Sequence, residues 1–311
     1  MPETYVVTGG AGFIGSHIAE RLLRDGQRVR IVDNFATGKR ENLAALPGGF
    51  DLHEVSITDR AALDAAFAGA DYVLHQAALP SVPRSIDDPL MSHEYNLTGT
   101  LNVLVAARDA GVKRVVYAAS SSAYGDIAGE HKTETMNPRP LSPYGAQKLA
   151  GEYYCQVFTE VYGLETVALR YFNVFGPRQD ETSAYAAVIP RFLAALLRGE
   201  PPVIYGDGEQ SRDFTYVDNV VHGNLLALRA PDAAGQMMNL ATGGRVSLLD
   251  LAERLNRILG TSIAPVHEAP RPGDIRHSRA AIGKAETLLG FAPVVDFDEG
   301  LARTVAWFRG R

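Results

Sequence analysis

Thr8-Gly9-Gly10-Ala11-Gly12-Phe13-Ile14-Gly15-Ser16-His17 is the stretch that decides the fold. Gly9, Gly12 and Gly15 recur at intervals of three. Before them, Tyr5-Val6-Val7-Thr8 reads as a short buried strand. After them, residues 13–24 place Ile14, Ile18, Leu22 and Leu23 on one helical face, and Gly26 stops the helix. A strand, a glycine turn and a helix bring backbone N–H groups and a helix N-terminus to a phosphate at close range. Glycine permits both the tight turn and the close approach. Asp33 follows Gly15 by 18 residues, at the end of a second strand over 29–33. That is near the spacing of about 20 at which a carboxylate meets the ribose hydroxyls of a dinucleotide. A carboxylate there repels a 2′-phosphate, which favours NAD over NADP, although Lys39 and Arg40 lie close by. No lysine follows the last glycine, which argues against a nucleotide-triphosphate P-loop.

Outward from this loop the alternation continues. Strands are expected at 72–75, 114–119 and 166–170, with helices at 97–110 and 144–162 between them. Strands alternating with helices predict an α/β fold of the Rossmann type, a doubly wound parallel sheet covered on both faces. Beyond Arg170 the rhythm changes. Helices are expected at 188–198, 216–228, 248–259 and from 299 toward 308, a strand at 237–240, and irregular chain at 265–273. The expected division is an NAD-binding domain over 1–173, with segments near 213–240 returning to it. Residues 174–311 form mainly a smaller α/β substrate-binding cap.

Composition narrows the function classes. The chain has 311 residues, 46% hydrophobic and 21% charged, enough for a sizeable core without metals or disulfides. One cysteine allows no internal disulfide and suits a cytoplasmic setting. The eight histidines show no metal-ligand spacing, so no metal is expected. The net charge is −6 with no basic block, which argues against nucleic acid. The start of the chain does not read as a signal peptide. The most apolar stretch, 184–197, is short and broken by Pro190 and Arg191, so no membrane span is expected.

Chemistry enters with Tyr144-Gly-Ala-Gln-Lys148. Spacing of i and i+4 puts both side chains on one helical face. A free tyrosine, with a pKa of about 10, is a poor base at neutral pH. A nearby ammonium favours its phenolate. Ser120-Ser121-Ser122 directly follows the strand at 114–119. In a parallel α/β sheet ligands bind beyond the carboxyl ends of strands, so a hydroxyl there can reach a substrate oxygen beside the tyrosine. Together the patterns describe alcohol–ketone redox chemistry with a general base.

At this point the sequence resembles the extended short-chain dehydrogenase/reductases, NAD-dependent epimerase/dehydratase family, and most closely the UDP-glucose and UDP-N-acetylglucosamine 4-epimerases. The likeness lies in the glycine loop, Asp33-Asn34, His75-Gln-Ala-Ala78, Ser120-Ser-Ser-Ala-Tyr-Gly125, Pro143-Tyr144 with Lys148, Arg170-Tyr-Phe-Asn-Val-Phe-Gly176, Arg212-Asp-Phe and Arg271-Pro-Gly-Asp274. Ser81-Val-Pro-Arg-Ser85, Arg178-Gln-Asp and Ala184-Tyr-Ala-Ala-Val-Ile-Pro190 echo the N-acetylglucosamine enzymes.

The resemblance implies site residues. Ser120, Tyr144 and Lys148 would be catalytic. NAD would be bound by Gly9, Gly12, Phe13, Ile14 and Gly15, by Asp33, Asn34, Gly38 and Ile57, and by Ala77, Ala78, Leu79, Asn96, Tyr144, Lys148 and Tyr171. Ser81, Arg84, Ser121 and Ser122 would face the sugar. Asn173, Val188, Arg212 and Arg271 would hold the nucleotide diphosphate, ribose or base, Ala187, Tyr205 and Asp274 would also bind substrate, and Ser278 would gate the sugar pocket. Family members often carry Asp-Ile where this chain has Ser56-Ile57, so Ser56 brings no carboxylate to the adenine side.

The activity so implied is NAD-dependent UDP-hexose 4-epimerisation through a 4-keto sugar. A tyrosine at the gate narrows the pocket for plain hexoses in the family. The small Ser278 leaves room for a 2-acetamido group, so UDP-GlcNAc/UDP-GalNAc and UDP-Glc/UDP-Gal are both expected substrates. Arg84 keeps a uronic acid open. Dehydratases of this family resemble one another in carrying Thr-Asp-Glu at the serine position, which this chain lacks, and a decarboxylase suffers from the same missing glutamate. A non-catalytic NAD sensor would not need the Tyr/Lys pair. A homodimer through a four-helix bundle is also implied, drawing on helices 97–110 and 144–162, with Leu101, Leu104 and Val105 as either interface or core.

Overall fold

In the computed structural model, which describes residues 2–127, 129, 131–181, 186–270 and 276–310, Val6 and Val7 sit on an inner strand of a seven-stranded parallel sheet. Its strands are β1 (Thr4–Thr8), β2 (Arg28–Val32), β3 (Phe50–His53), β4 (Tyr72–His75), β5 (Arg114–Ser120), β6 (Glu165–Tyr171) and β7 (Gln236–Leu240). They lie in the order β7-β6-β5-β4-β1-β2-β3, so the chain runs outward from β1 in both directions. β1 pairs with β2 in the register Thr8↔Val32 and with β4 in the register Thr8↔His75. The topological switch therefore falls at the glycine loop, where such sheets open a crevice.

Successive strand residues feed two cores because side chains alternate across a sheet. Val7, Ile31, Leu74 and Val116 pack beneath α1 (Phe13–Arg24) together with Ile18 and Leu22. Val6, Val73 and Val115 pack on the other face with Leu63 and Phe67 of α2 (Arg60–Phe67), Leu104 of α3 (Gly99–Asp109) and Phe158 of α4 (Pro143–Tyr162). Burial on both faces explains why these strands read as continuous apolar runs.

A third cluster lies in the C-terminal part. Phe192 and Leu196 of α5 (Val188–Leu197) meet Leu251 and Leu255 of α7 (Leu248–Leu259) and Leu301 and Phe308 of α8 (Phe297–Arg309). Pro190 falls in the first turn of α5, where its missing N–H costs nothing. α7 opens with a capping box between Ser247 and Asp250. Between α5 and α7, α6 (Val217–Ala227) returns to pack against α1, and β7 pairs with β6.

Several elements differ from expectation. The helix expected from Leu97 is preceded by a π-helical turn, Glu94–Thr98, which turns Asn96 inward. β3 carries Asp51 and His53 in a half-exposed edge position, a composition that masks a strand. Val266–Glu268, expected to be irregular, pairs in parallel with Val203–Tyr205. Among the described residues no helix is long and apolar enough to cross a membrane.

Candidate active site

A cavity of about 400 Å³ lies beyond the carboxyl ends of β1, β2, β4 and β5. Its floor is the glycine loop. A Cβ at Gly9 would lie 2.7 Å from the Ala77 nitrogen, and one at Gly15 would lie 2.1 Å from the Gly9 carbonyl oxygen. Gly9 also has φ +69°, which disfavours any side chain. The loop is thus a cradle that side chains would fill, which suits the diphosphate of a dinucleotide resting on the N-terminus of α1.

Asp33 lines the cavity just past β2. Its carboxylate accepts from the Ala11 N–H at 2.9 Å and the Phe35 N–H at 2.8 Å. Burial pushes its pKa up, and these two donors pull it back. Gly38 does not line the cavity; it lets its loop pass the carboxylate, since a Cβ there would lie 2.7 Å from Asp33 Oδ1. The nearby cations are already paired. Lys39 meets Asp180 at 2.8 Å, and Arg40 meets Glu54 at 2.7 Å.

Asn34, Ile57, Ala77, Ala78 and Leu79 line the cavity, together with Phe13, Ile14 and Tyr171. Ser56, despite lacking the family's carboxylate, lines it too, with its Oγ 2.8 Å from Thr58 Oγ1. Asn96 stands behind this wall. Its Oδ1 accepts from the Leu79 N–H at 2.8 Å and its Nδ2 donates to the Leu79 carbonyl at 3.1 Å. It therefore orders the wall without lining the cavity. The Tyr171 hydroxyl bonds to Asn224 Nδ2 at 2.8 Å and Gln76 Nε2 at 3.1 Å.

Tyr144 and Lys148 enter from the start of α4. Ser142 caps this helix by accepting from the Gly145 N–H at 3.1 Å, and Pro143 occupies its first turn. The Tyr144 N–H donates to Ser85 Oγ at 3.1 Å. Ser85 is buried, and sequence spacing gave no sign of this tie. Burial raises the Tyr144 pKa, and a hydrogen bond from Ser120 lowers it. The Lys148 ammonium donates to the Ala118 carbonyl at 2.8 Å and lies 5.9 Å from the centre of the Tyr144 ring. Burial pushes Lys148 down to about 8, against the upward pull of Cys155 and Glu152. Both Glu152 oxygens are held by Arg170, at 2.8 and 2.7 Å. Ser120 ends β5, and Ser121 and Ser122 form the short turn after it. The three serines are half-buried and stand beside Tyr144 without lining either cavity.

Ser81, Arg84 and Ala187 close the first cavity on the side away from Asp33. Ser81 has φ +106°, a strained backbone for a non-glycine residue at a cavity wall. A second cavity of about 390 Å³ adjoins it, sharing Gln179 and Ala187. Asn173, Val188, Tyr205 and Arg212 line it, and Arg191 lies over the Tyr205 ring at 5.6 Å. Ser278 lines neither cavity; it pairs with Arg212 in parallel register. Arg271 and Asp274, like Ala184 and Tyr185, lie outside the described residues. Among the described residues no cluster of His, Cys, Asp or Glu could hold a metal.

Sheet order, glycine cradle, a carboxylate at the end of β2 and a Tyr–Lys pair next to a serine turn describe an NAD-dependent enzyme of Rossmann type. The model of the NAD dependent epimerase/dehydratase family matches residues 5–241, and the chain belongs to that family. It is 38% identical over 311 residues to the UDP-glucose 4-epimerase of Mycolicibacterium smegmatis, covering 98% of each chain. Among solved structures it is similar to the UDP-N-acetylglucosamine 4-epimerase of Methanobrevibacter ruminantium in complex with UDP-N-acetylmuramic acid. The TM-score is 0.94 at 43% identity, covering 100% of this chain and 99% of that one. It is also similar to the UDP-glucose 4-epimerase of Thermus thermophilus in complex with NAD, with TM-score 0.90, 39% identity and 99% of each chain covered.

Proposed function

We propose that this NAD-dependent UDP-sugar 4-epimerase interconverts UDP-GlcNAc with UDP-GalNAc and also accepts UDP-Glc and UDP-Gal. The observation that carries the chemistry is Tyr144 on the cavity wall with a buried Lys148 one turn on, next to a 120–122 serine run with no carboxylate to drive water loss. Support for the N-acetylated substrates comes from the neighbour at 43% identity, whose structure holds an N-acetylated UDP-sugar, and, on the family pattern alone, from the small Ser278 beside Arg212.

Tyr144, as phenolate, takes the proton from the C4 hydroxyl while Ser120 hydrogen-bonds the same oxygen. Bound NAD supplies the hydride acceptor and, in return, the donor. Lys148 holds its charge near the phenolate. The 4-keto sugar turns and presents its other face, and Tyr144 returns the proton. Asn173, Ala187, Val188, Tyr205 and Arg212 grip the nucleotide end, joined by Arg271 and Asp274 on the family pattern. Ser81, Arg84, Ser121 and Ser122 leave the sugar loosely held. A firm grip on the non-reacting part is what such turning requires. Residues 1–173 then form the cofactor domain and 174–311 mainly the substrate domain.

Arg84 at the cavity wall favours a second substrate, a UDP-uronic acid, because a guanidinium pairs well with a carboxylate. A homodimer is part of the same proposal. Tyr153, Val157 and Val161 form an exposed stripe along α4, whereas Leu104 is fully buried core and Leu101 and Val105 pack partly against it.

The test is incubation of the purified protein with UDP-GlcNAc, UDP-Glc and UDP-glucuronate separately, without added NAD, with products resolved by anion exchange. UDP-GalNAc and UDP-Gal are the expected products. Turnover of the uronic acid alone overturns the substrate assignment, and inactivity on all three after NAD is supplied overturns the function.

A further inference from the structure

After β6 the chain crosses back over the first cavity, and residues 177–180 fasten to the Rossmann part at both sides. On one side the anchor is α1, the helix whose N-terminus faces the cradle. His17 Nε2 donates to the Pro177 carbonyl at 3.0 Å. Burial pushes His17 down to about 4, so at neutral pH this contact is made by an uncharged ring. Arg178 Nη2 meets Glu20 Oε2 at 2.6 Å, with the two side chains only 10% and 14% exposed, and Arg178 Nη1 reaches Ser16 Oγ at 3.4 Å. Arg178 takes a left-handed backbone, φ +66°, to make this contact. Strain of that kind at a cavity wall marks a function more often than an accident.

On the other side Asp180 pairs with Lys39 at 2.8 Å. The Lys39 N–H in turn donates to the Ala11 carbonyl of the glycine loop at 2.9 Å. Glycine loop, α1, Arg178, Asp180 and Lys39 thus form a closed ring, and Arg178, Gln179, Asp180 and Lys39 all line the cavity it encircles. Gln179 adds a sign that the ring is built around a ligand. Its Nε2 is spent on the Val174 carbonyl at 3.0 Å, while its Oε1 is buried without a partner among the described residues, where the two cavities meet. A buried acceptor left open in this way is normally completed by something bound.

We propose, resting on the NAD site and independent of which sugar is turned over, that residues 177–180 are a strap that retains NAD between turnovers. The Lys39–Asp180 pair is its breakable link. Those two side chains are 35% and 39% exposed, so salt reaches them, while Arg178–Glu20 is more sheltered. An epimerase regenerates its cofactor in every cycle, so slow release costs it no turnover.

The test is the exchange of bound NAD for radiolabelled NAD, followed by rapid gel filtration with no sugar nucleotide present. Asp180→Lys should speed exchange by about tenfold, a change worth about 1.4 kcal/mol. Asp180→Asn should speed it less, and the reversed pair Lys39→Asp with Asp180→Lys should restore slow exchange. Half-molar salt should hasten exchange in the wild type and leave the Lys39→Ala/Asp180→Ala protein unmoved. Wild-type exchange rates in Asp180→Lys and Asp180→Asn, or a reversed pair as fast as Asp180→Lys alone, overturn the strap. Failure of the wild type to hold NAD at all overturns the strap together with the cofactor assignment, whereas inactivity toward every UDP-sugar leaves this result standing.

Discussion

Lys148 gives its hydrogen bond to the Ala118 carbonyl, 2.8 Å away, and not to Tyr144, whose ring centre lies 5.9 Å from the ammonium. Strand β5 therefore fixes the charge, and in the proposed mechanism Lys148 would act on the phenolate through space rather than by a direct hydrogen bond. Its neighbour one turn on, Glu152, is occupied with Arg170, so among the described residues Lys148 makes no ion pair of its own and feels Glu152 only at a distance.

That arrangement has a stability signature in NAD-free protein. Lys148 is pushed from 10.5 to about 8, so below pH 8 it is protonated in both folded and unfolded chains and the full cost of burying its charge is present. Between pH 8 and 10.5 the unfolded chain binds a proton that the folded one lacks, so this cost fades as pH rises. Lys148→Met should raise stability at pH 7 by up to about 3 kcal/mol, an advantage that shrinks above pH 8. Urea unfolding at pH 7 and pH 10 checks it; a Met variant less stable at pH 7 contradicts the unpaired-charge picture. Its kcat should fall by about 10²-fold.

The Ser120 hydroxyl beside Tyr144 predicts a pH profile. Ser120 lowers a phenol pKa that burial raises, so Ser120→Ala should move the rising limb of kcat/KM to higher pH. Tyr144→Phe should lower kcat by about 10³-fold while leaving NAD content intact. A limb unmoved in Ser120→Ala would show that another group sets it.

At the cradle, Gly15→Ala drives a Cβ to within 2.1 Å of the Gly9 carbonyl, a contact that only backbone movement relieves. The variant should be purified without NAD, as read from the absorbance released on denaturation. Asp33→Asn removes an acceptor from the Ala11 or Phe35 N–H and should weaken NAD binding by about tenfold or more. It should gain no preference for NADP, because Lys39 and Arg40 remain committed to Asp180 and Glu54. Fluorescence titration with both cofactors measures this.

Asp213 organises the segments around Arg212, where the proposal places the nucleotide. Fully buried, it accepts from Thr242 Oγ1 at 2.8 Å, the Gly243 N–H at 3.0 Å and the Ala280 N–H at 3.1 Å, joining three segments beside Arg212 and Ser278. An asparagine offers one acceptor atom for this set. Asp213→Asn should raise KM for the UDP-sugar by about tenfold with a smaller change in kcat and unchanged NAD content. Thr242→Val should move KM the same way by less. Steady-state kinetics with NAD quantification decide it; a fall in kcat at constant KM contradicts the positioning role.

What was legible in the sequence was local. The glycine loop, Asp33 and the Tyr144–Lys148 pair sit at fixed short spacings on elements whose periodicity is plain, and the cavity gathers them as expected. Asn96 and Gly38 carry family signals but act on a wall and on Asp33, because a π-helical turn and a close backbone approach leave no trace in periodicity. Contacts between distant residues were silent. Arg178 and Glu20 are 158 residues apart, Tyr144 and Ser85 are 59 apart, and Ala280 and Asp213 are 67 apart. No hydrophobic pattern encodes such meetings, since polar residues joined by tertiary structure look in sequence like ordinary solvated ones.

Ser278 tests the sugar preference most directly. Its carbonyl accepts from the Asp213 N–H at 2.9 Å and its strand pairs with Arg212, so the backbone at 278 is fixed against Arg212 while its side chain is short. A tyrosine there adds bulk without loosening that backbone. Ser278→Tyr should depress kcat/KM for UDP-GlcNAc by about tenfold or more, a loss of about 1.4 kcal/mol, and spare UDP-Glc. The competing explanation is that position 278 is merely a small residue in a strand, in which case crowding disturbs Arg212 and both substrates lose alike. The ratio of the two kcat/KM values separates these outcomes, because a nucleotide-side defect cancels in the ratio and a gate does not.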